Sequence, residues 1–284
     1  MISIIICSRQ QSIRKELQDN INDTIGCEHE LIIIDNSQNR FTIFQAYNEG
    51  IRQSNHGIFC FIHDDILFHS KDWGAKLLEI FGTGAKIGLV GIAGAKVKTK
   101  MPSGWWNCPV EFKEVNIIQH LKSGVVEKWY YGFKNGPLSE VVAIDGVFIA
   151  MKKGCNLHFN EALTGFHNYD LNISFESIQK GFKIVVTSEI LVEHYSNGEI
   201  NNSWYESTDK VHSFYQNTLP MLTKDASNFD ILQLEFKNGM AFLNPFIKTG
   251  KIIAPLRIWL QLLRMKPTKV FHLKFLKSIR FSFK

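Results

Sequence analysis

The chain has 284 residues, 45% of them hydrophobic and 21% charged. That leaves room for one large domain or two small ones with a sizeable core, and it excludes wholesale disorder, collagen and low-complexity architectures. The net charge of +5 conceals a division: eleven of the 32 bases, from Lys237 to Lys284, follow the last acidic residue, Glu235, which leaves 21 bases against 27 acids in the body. An acidic body with a basic, aromatic-rich tail directs the tail toward a membrane surface or another anionic partner. No apolar run approaches the ~18 residues of a membrane span. Ile2–Cys7 is too short for a signal-peptide core and lacks a cleavage site. The five cysteines, Cys7, Cys27, Cys60, Cys108 and Cys155, form no CxxC pair. They fit reduced, mostly buried thiols in a cytosolic protein better than a disulfide framework or zinc cage.

In chain order, Ile2–Cys7 reads as a strand buried on both faces. Ile13, Leu17 and Ile21 then space as a helix face. Glu30–Ile34 is a second strand ending at Asp35-Asn36-Ser37, and Ile43, Tyr47 and Ile51 mark a second helix. Ile58–Ile62 is a third strand ending in His63-Asp64-Asp65. Trp73, Leu77, Leu78 and Phe81 give a third helix, and Ile87–Ile92 a fourth strand. This alternation predicts an α/β fold with a mostly parallel sheet, whose ligands bind beyond the carboxyl ends of the strands. Residues 95–140 are irregular and read as a long functional loop region. Val141–Met151 returns as a strand, 168–180 as a helix closed by Gly181, Phe182–Val186 as a strand and 204–235 as helical, and the tail divides at Pro255 and Pro267.

The polar residues at strand ends carry the candidate chemistry. Asp64 and Asp65 follow a buried strand, where a divalent cation would relieve their repulsion; a turn or helix cap is the plainer reading. Asp35 is placed to accept from a base or ribose, or to make an Asx-turn with Asn36. Ser8 and Arg9 end the first strand where a nucleotide could sit, although Arg9 equally reads as a surface charge. Asp170 opens a helix, either as a general base or as a carboxylate favoured by the helix dipole. His194 follows an apolar strand and gains meaning only if the fold brings it near Asp65.

Taken together, the order and spacing resemble the GT-A nucleotide-sugar glycosyltransferases, in particular the inverting group called glycosyltransferase family 2. Within it they resemble a bacterial glycosyltransferase-like subgroup with a His-x-Asp metal motif. The resemblance covers roughly residues 1–200. Ser3–Gln10 takes the place of the first strand and its Pro-Thr-Tyr-Asn. Glu30–Ser37 matches the second strand with its base-binding Asp. Ala46-Tyr47-Asn48-Glu49-Gly50-Ile51 matches an Ala-Arg-Asn-x-Gly-Ile helix. His63-Asp64-Asp65 matches the DxD motif, Ile87–Gly94 and Trp105-Trp106 look like subgroup signatures, and Val142–Gly146 matches the strand lining the sugar and acceptor site. Asp170, eleven residues before Gly181, stands where the family has its catalytic Asp, and His194 matches the late metal-binding histidine. The departures are His63 for the first Asp of the motif, Tyr47 for an Arg, Tyr169 for the Glu before the catalytic Asp, and Asn172 for a following Asp.

The resemblance implies an inverting transfer from a nucleoside diphosphate sugar, UDP being the commonest donor base, to an acceptor hydroxyl in bacterial surface polysaccharide or glycoconjugate synthesis. Asp65 and His194 would hold Mn²⁺ or Mg²⁺, Asp170 would act as base, and Ser8, Arg9, Asp35, Asn48 and Asp64 would hold the nucleotide. Trp105, Trp106, Asp145 and Gly146 would meet the sugar and acceptor. The two tryptophans read equally as core or loop anchors, and Asp145 equally as a turn carboxylate. A nucleotidyltransferase and an inactive sugar-binding module are the rival classes; the absence of glycine from Cys7–Ser12 counts against the first. Residues 1–200 read as the catalytic domain and 201–284 as a helical extension. In the tail, Ile252, Leu256, Trp259 and Leu263 form one stripe. Phe271, Phe275, Leu276 and Ile279 lie on one side of a second helix, with Lys269, Lys274, Lys277, Arg280 and Lys284 mostly on the other. This is the pattern of an interfacial helix on an anionic membrane, near a glycan or lipid-linked acceptor, and implies a cytoplasmic enzyme peripheral to the inner face of the membrane. Packing on the core or forming a homo-dimer is the alternative. No nucleic-acid partner is expected.

Overall fold

A computed structural model describes residues 1–196, 198–249 and 253–282, except the side chains of 277–282. Strands β1 (Ile2–Ser8), β2 (His29–Asp35) and β3 (Ile58–Ile62) alternate with helices α1 (Lys15–Thr24) and α2 (Ile43–Gln53) as the apolar spacing predicts. Helix α2 starts at a capping box, in which the Thr42 hydroxyl accepts from the Gln45 N–H and the Gln45 side chain accepts from the Thr42 N–H. Then come β4 (Ile66–Phe68), α3 (Trp73–Thr83) and β5 (Ile87–Gly91).

The irregular stretch is not a loop region throughout. It holds β6 (Ala93–Ala95), β7 (Val97–Lys98), β8 (Lys113–His120), β9 (Val126–Tyr131) and β10 (Leu138–Val141). The strand expected over Val141–Met151 is broken as well. β10 ends at Val141, β11 (Ala143–Ile144) joins a different sheet, and β12 (Phe148–Lys152) returns to the first. The break falls at Asp145-Gly146, where the Asp145 carboxylate accepts the Val147 N–H at 2.8 Å and turns the chain. Helix α4 (Tyr169–Gln179) and strand β13 (Lys183–Thr187) lie where the sequence places them, followed by β14 (Val192–His194). The helix expected over 204–235 is two, α5 (Asn202–Phe214) and α6 (Ile231–Phe246), separated by β15 (Met221–Leu222). Pro220 has no N–H to continue a helix, and Asp230 caps a fresh start by accepting the Leu232 N–H. Helices α7 (Ile253–Met265) and α8 (Phe271–Ser282) complete the described chain.

The main sheet has seven strands in the order β10-β13-β5-β12-β3-β1-β2. Five run one way, and β12 and β10 run against them. A second sheet, β11-β6-β8-β14-β4 with β9 on the other edge of β8, stands beside it. The fold is therefore the α/β class expected. The largest core lies around the main sheet, where all of β3 and β5 is buried. Helix α5 contributes Val211 to it, and Tyr215 just beyond α5 also belongs to it.

A second core gathers Phe236, Leu243 and Phe246 of α6, Ile258 and Leu262 of α7, Phe275 of α8, and Trp204 of α5. The tail stripes are accordingly shifted. Pro255, Ile258 and Leu262 are the buried face of α7, and Leu256, Trp259 and Leu263 flank it. Phe275 stacks on Trp259 at 5.6 Å instead of facing outward. Leu276 remains exposed with Val270 and Leu273. Ile252 and Lys284, and the side chains of Lys277, Ile279 and Arg280, lie outside the described residues.

Between the two cores runs a buried polar seam. The Glu235 carboxylate accepts the Lys100 and Met101 N–H groups at 2.6 and 2.7 Å. Asn238 donates to Thr99 Oγ1 and to the Asn107 carbonyl. Fully buried Lys98 lies 3.0 Å from the Ser103 carbonyl and 3.1 Å from His212 Nε2. Burial pushes the Lys98 amine down to about 7, with Glu235 the leading opposing charge. Helices α5 and α6 thus hold the loop 99–107 that carries Trp105 and Trp106. Removing the Glu235 carboxylate strands the buried Met101 N–H, at about 1–3 kcal/mol, and the part-buried Lys100 N–H. Glu235→Ala is expected to lower unfolding stability in urea by ~2–4 kcal/mol at unchanged m-value, with Glu235→Gln losing about half as much.

Candidate active site

The carboxyl ends of β1, β2 and β3 and one face of the second sheet border a cleft of about 1180 Å³. Buried Ser8 donates to Asp64 Oδ2 at 2.9 Å, which fixes one of the paired carboxylates at the cleft floor. Arg9 is exposed on the rim. The other two expected nucleotide residues lie elsewhere. Asp35 is outside the cleft wall, and its Oδ1 accepts the Ser37 N–H in an Asx-turn; the neighbouring Asn36 borders the cleft instead. Asn48 is buried away from the wall, with its amide bonded to the Phe159 backbone and to Glu161. Its polar atoms are engaged in holding the segment before α4.

The second sheet brings His194 to Asp65. β14 pairs with β4, which begins one residue after Asp65, and the Tyr195 N–H donates to the Asp65 carbonyl. His194 Nε2 lies 3.5 Å and His63 Nδ1 3.7 Å from Asp65 Oδ1, and the two ring nitrogens are 3.3 Å apart. Outer partners hold both rings. His194 Nδ1 is 3.1 Å from Gln119 Oε1, an acceptor. The Tyr169 hydroxyl lies 2.6 Å from His63 Nε2 and 3.2 Å from the Gly146 carbonyl. Asp65 Oδ1 is buried and has no hydrogen-bond partner among the described residues.

Burial alone would raise the Asp65 carboxyl; His194, His63 and Ser196 outweigh it and hold the group well below the usual carboxylate range. Burial and the adjacent His194 push His63 down, toward the neutral ligand form. Two imidazole nitrogens and a buried carboxylate oxygen converge, all within 4.8 Å of one another. That donor set fits a divalent cation. His63 belongs to it, although its sequence position marked it only as a replacement for an Asp. Tyr169 beside His63 and Gln119 beside His194 reach the cluster through tertiary pairing, which no local pattern marks.

Asp170 sits in the first turn of α4 on the same cleft wall. Its Oδ1 accepts the Leu171 N–H at 2.8 Å. Burial, followed by the charge of Asp145, pushes its carboxyl up to about 7, and nearby Lys98 opposes the shift only in part. Such a group changes protonation near neutrality, as a general base must. Asp145 is anchored twice, by the Val147 N–H and by Trp105 Nε1–H at 2.6 Å. Trp105 is largely buried and meets Trp106 edge-on at 6.0 Å; Trp106 in turn packs on Trp204. Gly146 is required where it stands, because a Cβ there would lie 2.3 Å from the Tyr169 hydroxyl. The structure therefore brings Arg9, Asp64, Asp65, Trp105, Trp106, Asp145, Gly146, Asp170 and His194 to one cleft, with Ser8 behind Asp64.

The family described as a glycosyltransferase like family matches residues 3–218. Among solved structures, GalNAc-T7, determined with UDP, GalNAc and Mn²⁺, is similar at 13% identity and a TM-score of 0.51. The match covers 89% of this chain and 56% of that one. The mannosyltransferase PcManGT from Pyrobaculum calidifontis, in complex with GDP-Man and Mn²⁺, aligns at 13% identity and a TM-score of 0.48, over 98% of this chain and 84% of that one. A197 from STIV aligns at 14% identity and a TM-score of 0.40, over 69% and 86%. A search of curated proteins returns no match. With the family match running through β1–β14 and α5, and with the GT-A arrangement of its sheets, the chain belongs to the glycosyltransferase-like family.

Proposed function

We propose that the protein transfers a sugar, with inversion, from a nucleoside diphosphate sugar, UDP being the first candidate, to an acceptor hydroxyl in the synthesis of a bacterial surface polysaccharide or glycoconjugate. The observation that carries this reading is the convergence of His63, Asp65 and His194 in the cleft that also holds Asp170, a carboxyl with a pKa of about 7. Asp65, His194 and His63 would hold Mn²⁺ or Mg²⁺, which offsets charge gathering on the diphosphate as it leaves. Ser8, Arg9 and Asp64 would position the nucleotide, with Asn36 taking the place expected of Asp35. Asp170 would accept the proton of the attacking hydroxyl, and a single base facing the anomeric carbon gives one displacement and hence inversion. Asp145, held by Trp105, would orient the sugar, while the Gly146 carbonyl serves Tyr169. Residues 1–200 would form the catalytic domain and 201–284 a helical extension that buttresses its Trp105–Trp106 loop.

No helix among the described residues is long and apolar enough to cross a membrane. Val270, Leu273 and Leu276 nevertheless stand exposed on or beside α8, among the exposed Lys269 and Lys274. This surface would rest on the anionic inner face of a membrane, each base near it worth about 1 kcal/mol. Lys269→Glu with Lys274→Glu, which leaves Phe271 and Phe275 packed, should weaken binding to phosphatidylserine vesicles at low salt. Equal binding by the double variant would assign the tail to packing alone.

The metal assignment is read by thermal shift with Mn²⁺ and UDP. Wild type should gain stability in proportion to saturation, about 2.7 kcal/mol at a hundredfold excess over Kd. Asp65→Ala should abolish the gain, and His63→Ala and His194→Ala should each reduce it. An undiminished shift in His63→Ala would remove that residue from the ligand set.

Asp170→Asn should retain donor binding and lose about 10²–10⁴-fold in transfer. Wild-type transfer should rise with pH through about 7 as Asp170 loses its proton. Stability runs the other way. A carboxyl whose folded pKa lies above its unfolded value adds stability at low pH and forfeits it as pH climbs from about 4 through 7. Asp170→Asn should therefore melt higher than wild type at pH 8, with the difference closing toward pH 4. A variant with near wild-type turnover would place the base elsewhere.

A further inference from the structure

The second sheet turns one face into the cleft, and its register extends that face well beyond the His63–Asp65–His194 cluster. On β14, His194 pairs with Gln119 of β8. On the other edge of β8, Gln119 pairs with Glu127, Ile117 with Trp129 and Val115 with Tyr131 of β9. Alternation puts residues two apart on one side of a strand, and directly paired residues share a side. Gln119, Ile117, Val115, Trp129 and Tyr131 all border the cleft. Trp129 and Tyr131 thus stand on the same wall as His194, two strand spacings away, which is about 10 Å before the offset along the strands is added. That separation exceeds the span of one pyranose ring.

The chemistry of this wall is specific. Tyr131 is 37% exposed and Trp129 half-buried, so both present ring surface. Trp129 Nε1–H is directed to Glu127 Oε2 at 2.7 Å, which fixes the indole plane. Ile117 and Val115 close the floor beneath the rings. Lys113 and Arg9 are the only lysine or arginine on the whole cleft wall among the described residues, and Arg9 belongs to the rim at β1. A single lysine is a poor match for a phosphorylated ligand, which calls for clustered donors. Flat, rigid aromatics over an apolar floor suit the C–H faces of neutral sugar rings.

We propose that the β8–β9 wall is a binding subsite for neutral sugar rings of an acceptor glycan, beyond the ring that carries the attacking hydroxyl. The acceptor is then an oligosaccharide gripped along its length rather than a single sugar or a bare lipid phosphate. This rests on the glycosyltransferase reading above and adds the class of acceptor to it.

The test uses the full chain with UDP and Mn²⁺ on an array of neutral and anionic glycans of one to four rings, followed by titration of the best series. Affinity should rise about tenfold from one ring to three. Trp129→Ala and Tyr131→Ala should flatten that rise, and Trp129→Phe should restore most of it. Tyr130→Ala, on the opposite side of β9, should leave it intact. No neutral glycan bound, no gain with length, preference for anionic glycans, or a rise that survives both alanine variants would each overturn the proposal. Slow hydrolysis of a UDP-sugar without acceptor is measured in parallel on wild type. Hydrolysis without length-dependent binding would remove the subsite and leave the enzyme reading standing. Length-dependent binding with no turnover of any nucleotide sugar would keep the subsite and make the protein a sugar-binding module.

Discussion

The cleft is organised around one cluster of polar atoms. His63 Nδ1, His194 Nε2 and Asp65 Oδ1 converge in a largely buried place, an arrangement that a protein interior tolerates only where surrounding bonds hold each group in position. The surrounding bonds are visible. Gln119 holds the His194 ring, and its own amide donates to the carbonyls of His194, His120 and Ser196. Tyr169 holds the His63 ring and is braced in turn by the Gly146 carbonyl. Gly146 lacks a side chain because Tyr169 occupies that space, and the Asp145 turn sets its backbone. Three separate sheet segments and the first turn of α4 are thereby tied to one point.

The same economy explains why Asp170 is poised. It follows Tyr169 in the first turn of a helix, where the dipole and the Leu171 N–H favour its charge. Burial and Asp145 outweigh both. Asp145 cannot swing away, because Val147 and Trp105 hold its two oxygens. The charged neighbour that raises Asp170 is therefore fixed by the tryptophan loop, and the electrostatics of the site depend on how that loop is anchored.

Much of this was legible in the residues. The apolar runs of Ile2–Cys7 and Ile58–Ile62 announce buried strands, and polar residues at their ends mark the cleft because parallel sheets place ligands there. Asp64, Asp65 and His194 stand at strand ends, Asp170 at the start of a helix, and Asp145 is marked by the family resemblance alone. The rest was hidden for physical reasons. Asp35 and Asn48 sit in the expected segments, where local bonds to Ser37 and to residues 159–161 engage them. β6 to β10 escaped notice because short antiparallel strands with mixed faces carry little periodicity, and Trp129 and Tyr131 with them. His63 as a ligand and Gln119 as its partner's support depend on a register between β14 and β8, about 75 residues apart, which no local pattern encodes.

The family match ends at residue 218, yet the site does not. Glu235 and Asn238 lie beyond it, on α6, and their side chains bond the backbone and Thr99 of the loop that presents Trp105 and Trp106. Seen from α6, the helix is anchored on one side by the second core of Phe236, Leu243 and Leu262 and on the other by this polar seam. Helix packing supplies stability without direction, whereas paired hydrogen bonds to specific N–H groups fix position. The tail helices thus give the tryptophan loop one location, and through Trp105 they give Asp145 one location. The loop itself reaches both cores, Trp105 entering the first and Met101 the second. A chain that anchors its loop from outside the shared domain can reshape the acceptor side of the cleft without disturbing the cluster of His63, Asp65 and His194, and the charge-segregated tail is the part of this molecule free to do so.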